Sequence, residues 1–134
     1  HGKKYEKIAK MIYEKIYNTY VYETGLVQHS NYSFLGASPD GINAIPNHYK
    51  FKNLIEIKCP LTRHIQNTGN INGEICPHHY WTQIQMQMEC CDVSKCDFWQ
   101  CEIKESNELN QEKSIITENE NISIINSYNK CECV

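Results

Sequence analysis

Leu54-Ile55-Glu56-Ile57-Lys58-Cys59-Pro60 is the stretch whose reading decides the fold. In an extended chain successive side chains face opposite ways. Leu54, Glu56 and Lys58 therefore share one face and Ile55 and Ile57 the other, predicting a strand with one face on the core and one lining a cleft. Pro60 ends the strand because proline has no N–H for the ladder. Sixteen residues before Glu56 stands Asp40, within Ser38-Pro39-Asp40-Gly41. Asp-Gly is a turn signal and places this acid at a strand end. Two acids converging on one point make a hard-oxygen site suited to Mg²⁺. Lys58 adds an ammonium on the same strand face as Glu56.

Outward from that strand, residues 3–24 predict an amphipathic helix. Tyr5, Ile8, Ala9, Ile12 and Ile16 form one apolar stripe, and Gly25 is the stop signal. Glu6 borders the stripe. Val27–His29 and Ser33–Ala37 read as a hairpin around Ser30-Asn31. Residues 61–76, rich in Asn and Gly, read as a mobile loop over the site. A second helix starts near Pro77, which suits a first turn, and runs to about Cys91. Tyr80, Gln83 and Gln87 project from one side of it, while Trp81, Ile84 and Met88 pack inward. Asp97–Ile103 is a further strand. The order helix, three strands, helix, strand predicts an α/β fold, a central mixed β-sheet flanked by helices.

The chain's 134 residues allow one domain with a modest core. We read 1–103 as its core and 104–134 as a polar extension of the same domain. The short apolar islands Ile115-Ile116 and Ile122–Ile125 could pair there as edge strands. The chain opens on His1-Gly2 without an initiator Met, which reads as an excerpt or a processed product. No run of about 18 apolar residues is present, so no membrane span is expected.

A net charge of −3 does not advertise a nucleic-acid binder. The basic residues cluster as Lys3, Lys4, Lys7, Lys10 and Lys15 on the first helix, with Lys50 and Lys52 before the motif strand. The eight cysteines contain no C-x-x-C pair and match no zinc-finger spacing. Reduced structural thiols of an intracellular, non-secreted protein are the expectation. The composition, heavy in Asn, Ile, Lys and Tyr, suggests an AT-rich genome.

Metal-bound water beside an ammonium is machinery for cutting a phosphodiester bond, which predicts a Mg²⁺-dependent nuclease. At this point the chain resembles the YqaJ/lambda-type exonucleases, or viral recombinases, of the PD-(D/E)XK nuclease superfamily. The resemblance is carried by Gly2-Lys3-Lys4-Tyr5-Glu6, Ser38–Gly41, Leu54–Pro60 and Tyr80-Trp81-Thr82-Gln83-Ile84-Gln85, in the family's order from residue 2 to about 103. It implies a restriction-endonuclease-like αβββαβ core. It implies Asp40 and Glu56 as principal ligands of one or two Mg²⁺ ions, with Mn²⁺ able to substitute. Glu6 and the backbone carbonyl of Ile57 would complete the set. Lys58 would position or deprotonate the attacking water, Gln83 would hold Lys58 or that water, and Tyr80 would support the shell or touch DNA. Ser38, Lys3, Lys4 and Arg63 are further candidates for contact with DNA.

The activity so implied is a DNA exonuclease acting at double-stranded ends in recombination, repair or defence, encoded by a DNA virus or phage. A homo-oligomer and a recombination partner protein are implied partners. The basic N-terminal segment with which relatives capture a DNA 5′ end has no counterpart among these residues, so polarity stays open. Cys90, Cys91, Cys96 and Cys101 do not match the iron–sulfur arrangement of related nucleases. Two other classes remain open: a non-cleaving DNA-binding or assembly module of a larger protein, and an endonuclease or nickase on the same core. An intact acid set argues against the first, because a binding surface gains nothing from carboxylates near phosphate.

Overall fold

The computed structural model describes residues 2–60, 64–66, 68–103 and 122–129, with the backbone course alone for 2–4 and 122–129. Helix α1 (Gly2–Tyr17) leads into β1 (Val21–Tyr22), the pair β2 (Val27–Gln28) and β3 (Gly36–Ala37), then β4 (Gly41–Asn43) and β5 (Leu54–Lys58). Helix α2 (His78–Cys91), β6 (Lys95–Cys101) and β7 (Ile122–Asn129) follow. The main sheet has the order β1-β4-β5-β6-β7, and β2-β3 form a separate two-stranded sheet. Only β5 and β6 run parallel, joined by the crossover through α2; the other main-sheet pairs are antiparallel. This is the mixed sheet flanked by helices expected from the sequence.

The alternation in β5 sorts its side chains between two cores. Ile55 and Ile57 pack with Ala9, Tyr13, Val21, Trp99 and Cys101 on the α1 side. Leu54 packs with Ile84, Met88, Cys96 and Phe98 on the α2 side. Both faces of β5 are thus covered, as parallel strands require. Truncating a fully buried residue such as Ile84 to alanine should cost about 2–5 kcal/mol.

Several boundaries differ from expectation. The first helix stops at Tyr17, seven residues early, because Asn18 turns left-handed at φ 50°. The Glu14 carboxylate then takes the backbone N–H of Val21 at 2.9 Å and starts a strand there. Tyr13, fully buried, holds the inward position assigned to Ile16, which is 47% exposed. The hairpin strands are two residues each. His29 occupies their wide loop: its Nδ1 accepts the N–H groups of Asn31 and Tyr32, and its Nε2 lies 3.2 Å from Glu89 of α2. The 61–76 connection is not loose throughout, since Ile75 and Cys76 are buried in the α2-side core. Trp81 is half-buried rather than inside, and Gln87 is buried rather than on a polar side. The island at Ile122 is part of an eight-residue edge strand. Ile115-Ile116 lie outside the described residues.

Lys50 is the largest departure. Expected on a basic surface, it is 7% exposed and its Nζ donates to Asp97 at 2.7 Å. The ammonium also lies 4.3 Å from the Tyr17 ring centroid, with the Tyr49 and Tyr13 rings further out. Tyr13 donates to the same Asp97 oxygen at 2.5 Å. Asn43 donates to the Tyr13 hydroxyl and to the Asn53 carbonyl, both at 3.0 Å, and accepts from Thr19 at 2.7 Å. This network ties α1, β4 and β6 together beneath the aromatic rings.

Candidate active site

Asp40 sits in the bend immediately before β4 and so begins a strand rather than ending one. The β4–β5 ladder pairs Gly41 with Ile55, and one step further along that antiparallel register Asp40 faces Glu56. Its Oδ2 accepts the backbone N–H of Ile57 at 2.6 Å. Gly41 makes this placement feasible. A Cβ there would run into Val21 Cγ1 and come within 3.1 Å of the Tyr22 carbonyl and 3.3 Å of Ile55.

Glu56 is 2% exposed, and both its oxygens are engaged. Lys58 folds back along the strand so that Nζ lies 3.0 Å from Oε1. Gln87 of α2 donates from Nε2 to Oε2 at 2.8 Å. The Lys58 ammonium also lies 4.3 Å from the ring centroid of Tyr80, a cation–π distance. Tyr80 in turn neighbours Phe98 across the α2-side core.

Glu6 reaches the acids from α1. With Lys7, Lys10, Met11, Glu14, Glu23, Asp40 and Ile57 it lines a cleft of about 610 Å³. Burial, then the charge of Glu56, then the charge of Glu6 and a hydrogen bond with it push the Asp40 carboxyl up to about 8, against the pull of the Ile57 N–H. Cys59, at the same end of β5, is pushed up to about 11 by burial and by Glu6 and Asp40.

The structure therefore brings together Glu6, Asp40, Glu56, Ile57, Lys58 and Tyr80. Ser38 is exposed two residues before Asp40. Gln83 is exposed on α2, whereas Gln87, one turn later, contacts Glu56. The side chains of Lys3 and Lys4, and the whole of Arg63, lie outside the described residues. Helical periodicity alone missed Gln87. The signal for it is its spacing of seven from Tyr80, three from Ile84 and four from Cys91, which sets it at the border of the buried face.

Among the described residues, no three His, Cys, Asp or Glu side chains close into a metal cage. The donors in hand are Asp40 and Glu56, with Glu6 beside Asp40. They match an ion that keeps several of its own waters and takes one or two carboxylates, as Mg²⁺ does. Burial and mutual repulsion raise the Asp40 carboxyl, and a cation is what would relieve both. The six described cysteines form no disulfide, and Cys131 and Cys133 lie outside the described residues. No described helix is long and apolar enough to cross a membrane.

Comparison with known proteins bears on the family and the fold. The family model of the YqaJ-like viral recombinase domain matches residues 1–94. An uncharacterized protein of Acanthamoeba polyphaga mimivirus is 44% identical over 110 residues, covering 78% of this chain and 20% of the relative. The crystal structure of the alkaline exonuclease LHK-Exo from Laribacter hongkongensis superposes with a TM-score of 0.56 at 32% identity, over 75% of this chain and 48% of that one. LHK-Exo in complex with dAMP gives 0.55 at the same identity, over 74% and 47%. The chain thus spans about a fifth of the length of the viral relative and about half that of the exonuclease.

Proposed function

Because the chain belongs to the YqaJ-like viral recombinase domain family and has the PD-(D/E)XK-type fold of an alkaline exonuclease, we propose that it is a Mg²⁺-dependent DNA exonuclease of viral origin acting at double-stranded ends. The observation that carries this reading is the crowding of Asp40, Glu56 and Glu6 around one end of β5, with Lys58 the ammonium paired to Glu56. Carboxylates repel phosphate, so their gathering in a cleft makes sense for a site that works through a divalent cation.

Asp40 and Glu56 would hold the ion, with Glu6 and the Ile57 carbonyl beside them. A bound Mg²⁺ supplies Lewis-acid stabilisation of phosphoryl charge and a water that ionises more readily. The chain's own groups do the positioning. The Ile57 N–H fixes one Asp40 oxygen, and Glu6 shares a hydrogen bond with the same carboxyl. Lys58, tethered by Glu56 and the Tyr80 ring, presents its ammonium to the attacking water or to a phosphate oxygen. The cleft, at about 610 Å³, is of a size that takes a nucleotide, and Lys7 and Lys10 on its wall offer charge to the strand backbone.

The test is degradation of linear duplex DNA with Mg²⁺, with EDTA, and by Lys58→Ala. Loss of DNA confined to Mg²⁺ and intact Lys58, with a variant rate lower by at least about 10²–10³, supports the assignment. Cleavage of closed circular DNA would turn it towards an endonuclease. A folded chain that neither binds divalent metal nor cuts would make it a silent module.

A further inference from the structure

Gln87 is 1% exposed, and its neighbours on α2, Ile84 and Met88, are fully buried apolar residues. Leucine or methionine would fill such a position with no polar group to satisfy. An amide there instead leaves an unmet polar atom: Gln87 Oε1 is buried and has no hydrogen-bond partner among the described residues. A lone buried acceptor is destabilising by about 1–3 kcal/mol. Packing therefore does not account for the residue.

The Glu56 contact does. A carboxylate accepts only, so the amide must present Nε2 to Glu56 Oε2 and turn Oε1 away. With Lys58 on the opposite oxygen, the carboxylate is clamped from both ends and its plane is set. Each oxygen keeps a lone pair. The orphan Oε1, attached to the same carbon as the donating nitrogen, is left for a donor that the described residues do not supply, and an ordered water has the right chemistry.

We propose that Gln87 is a positioning residue for the divalent-ion site: it fixes the orientation of the Glu56 carboxylate and, through Oε1, holds a buried water beside it. The proposal rests on the nuclease reading above and adds to it a residue one turn beyond the glutamine assigned by family resemblance. Groups that orient a ligand from behind are worth about 10–100-fold in metal affinity.

The experiment uses the full chain and compares it with Gln87→Met, which keeps the volume and removes the amide, and with Ile84→Val, an equally buried change that leaves Glu56 untouched. Melting temperature, Mn²⁺ affinity by calorimetry, and the Mg²⁺ concentration for half-maximal DNA cleavage are measured. The expected result is a folded Gln87→Met with Mn²⁺ affinity about 10–100-fold weaker, a rate recovered at high Mg²⁺, and an unchanged KM for DNA. Ile84→Val should lower the melting temperature and leave the affinity alone. Unchanged Mn²⁺ affinity in Gln87→Met overturns the proposal while leaving the nuclease reading intact; a parent chain that binds no Mn²⁺ overturns both. Should Gln87→Met not fold, the parent decides: the Gln87 side-chain amide NMR signals shift on Mg²⁺ titration, and fixed signals overturn the proposal.

Discussion

Lys50 and Asp97 form a 2.7 Å ion pair whose side chains are only 9% and 5% exposed. The Tyr13 hydroxyl shares the same Asp97 oxygen. Burial and the Asp97 charge raise the Tyr13 phenol, so it remains a protonated donor. Two charges 47 residues apart in sequence thus lock the turn before β5 to the start of β6. Removing one partner strands the other in the interior, so Lys50→Met should destabilise by about 3–5 kcal/mol. The double variant Lys50→Met/Asp97→Asn should recover part of that loss. Urea unfolding of the three proteins measures it; equal stabilities would show that the pair carries no net weight.

Gly41, read from the sequence as a turn residue, is a packing requirement at the start of β4. Gly41→Ala puts a methyl group into Val21 and towards the Tyr22 carbonyl, forcing β1 off β4. The expected cost is about 1–3 kcal/mol. Because Asp40 adjoins this glycine, cleavage should weaken along with stability, and a thermal melt paired with a DNA-degradation assay checks both.

Asp40 makes stability depend on pH in the absence of divalent ions. Unfolded, its carboxyl releases its proton near the ordinary value of 3.8; folded, it holds it to about 8. Through that window the folded state binds more protons, so this group's contribution falls as pH rises from about 4 to about 8. Melting temperature in EDTA should drop more steeply over this range for the parent than for Asp40→Asn. Added Mg²⁺ should restore stability at pH 8, where the carboxylates are free to ligate. Identical slopes for the two proteins would contradict the assignment.

Cys59 reports on the same charges. Pushed up to about 11, against about 9 for an unperturbed thiol on the same scale, it should hold roughly 100-fold less thiolate at pH 8 and alkylate correspondingly slowly. Mg²⁺ bound by Asp40 would cancel part of the negative field and speed the reaction. Mass-spectrometric quantitation of iodoacetamide labelling at Cys59, with and without Mg²⁺, reads this directly.

What was legible in the sequence was what is local. Glu56 and Lys58 declare themselves two residues apart on a strand, and Ser38–Gly41 marks the approach of Asp40. Alternation separates the two faces of β5, but the face expected to line a cleft instead carries Leu54 into a second core and buries Glu56. What was not legible depends on partners distant along the chain. Lys50 reads as a surface lysine until Asp97 and three tyrosines surround it. Gln87 reads as a polar-face residue until Glu56 arrives beneath α2. The early stop of α1 was hidden because Tyr20 and Val21 continue the apolar character past Asn18, and hydrophobicity cannot see a left-handed turn.

The polar stretch at the end of the chain acquires a different meaning from its place in the sheet. From Cys96 to Cys101 every residue of β6 is buried, and β7 pairs along it from Lys95 to Cys101. Stripped of that partner, β6 would offer its open backbone donors and acceptors to any passing strand, the usual template for aggregation. β7, built as Ile-Ser-Ile-Ile-Asn-Ser-Tyr-Asn from Ile122 to Asn129, satisfies that ladder with a segment half composed of Ser and Asn. A chain ended at Ile103 keeps every residue assigned to catalysis and loses this guard, so its failure would come as precipitation and intermolecular pairing before any loss of chemistry.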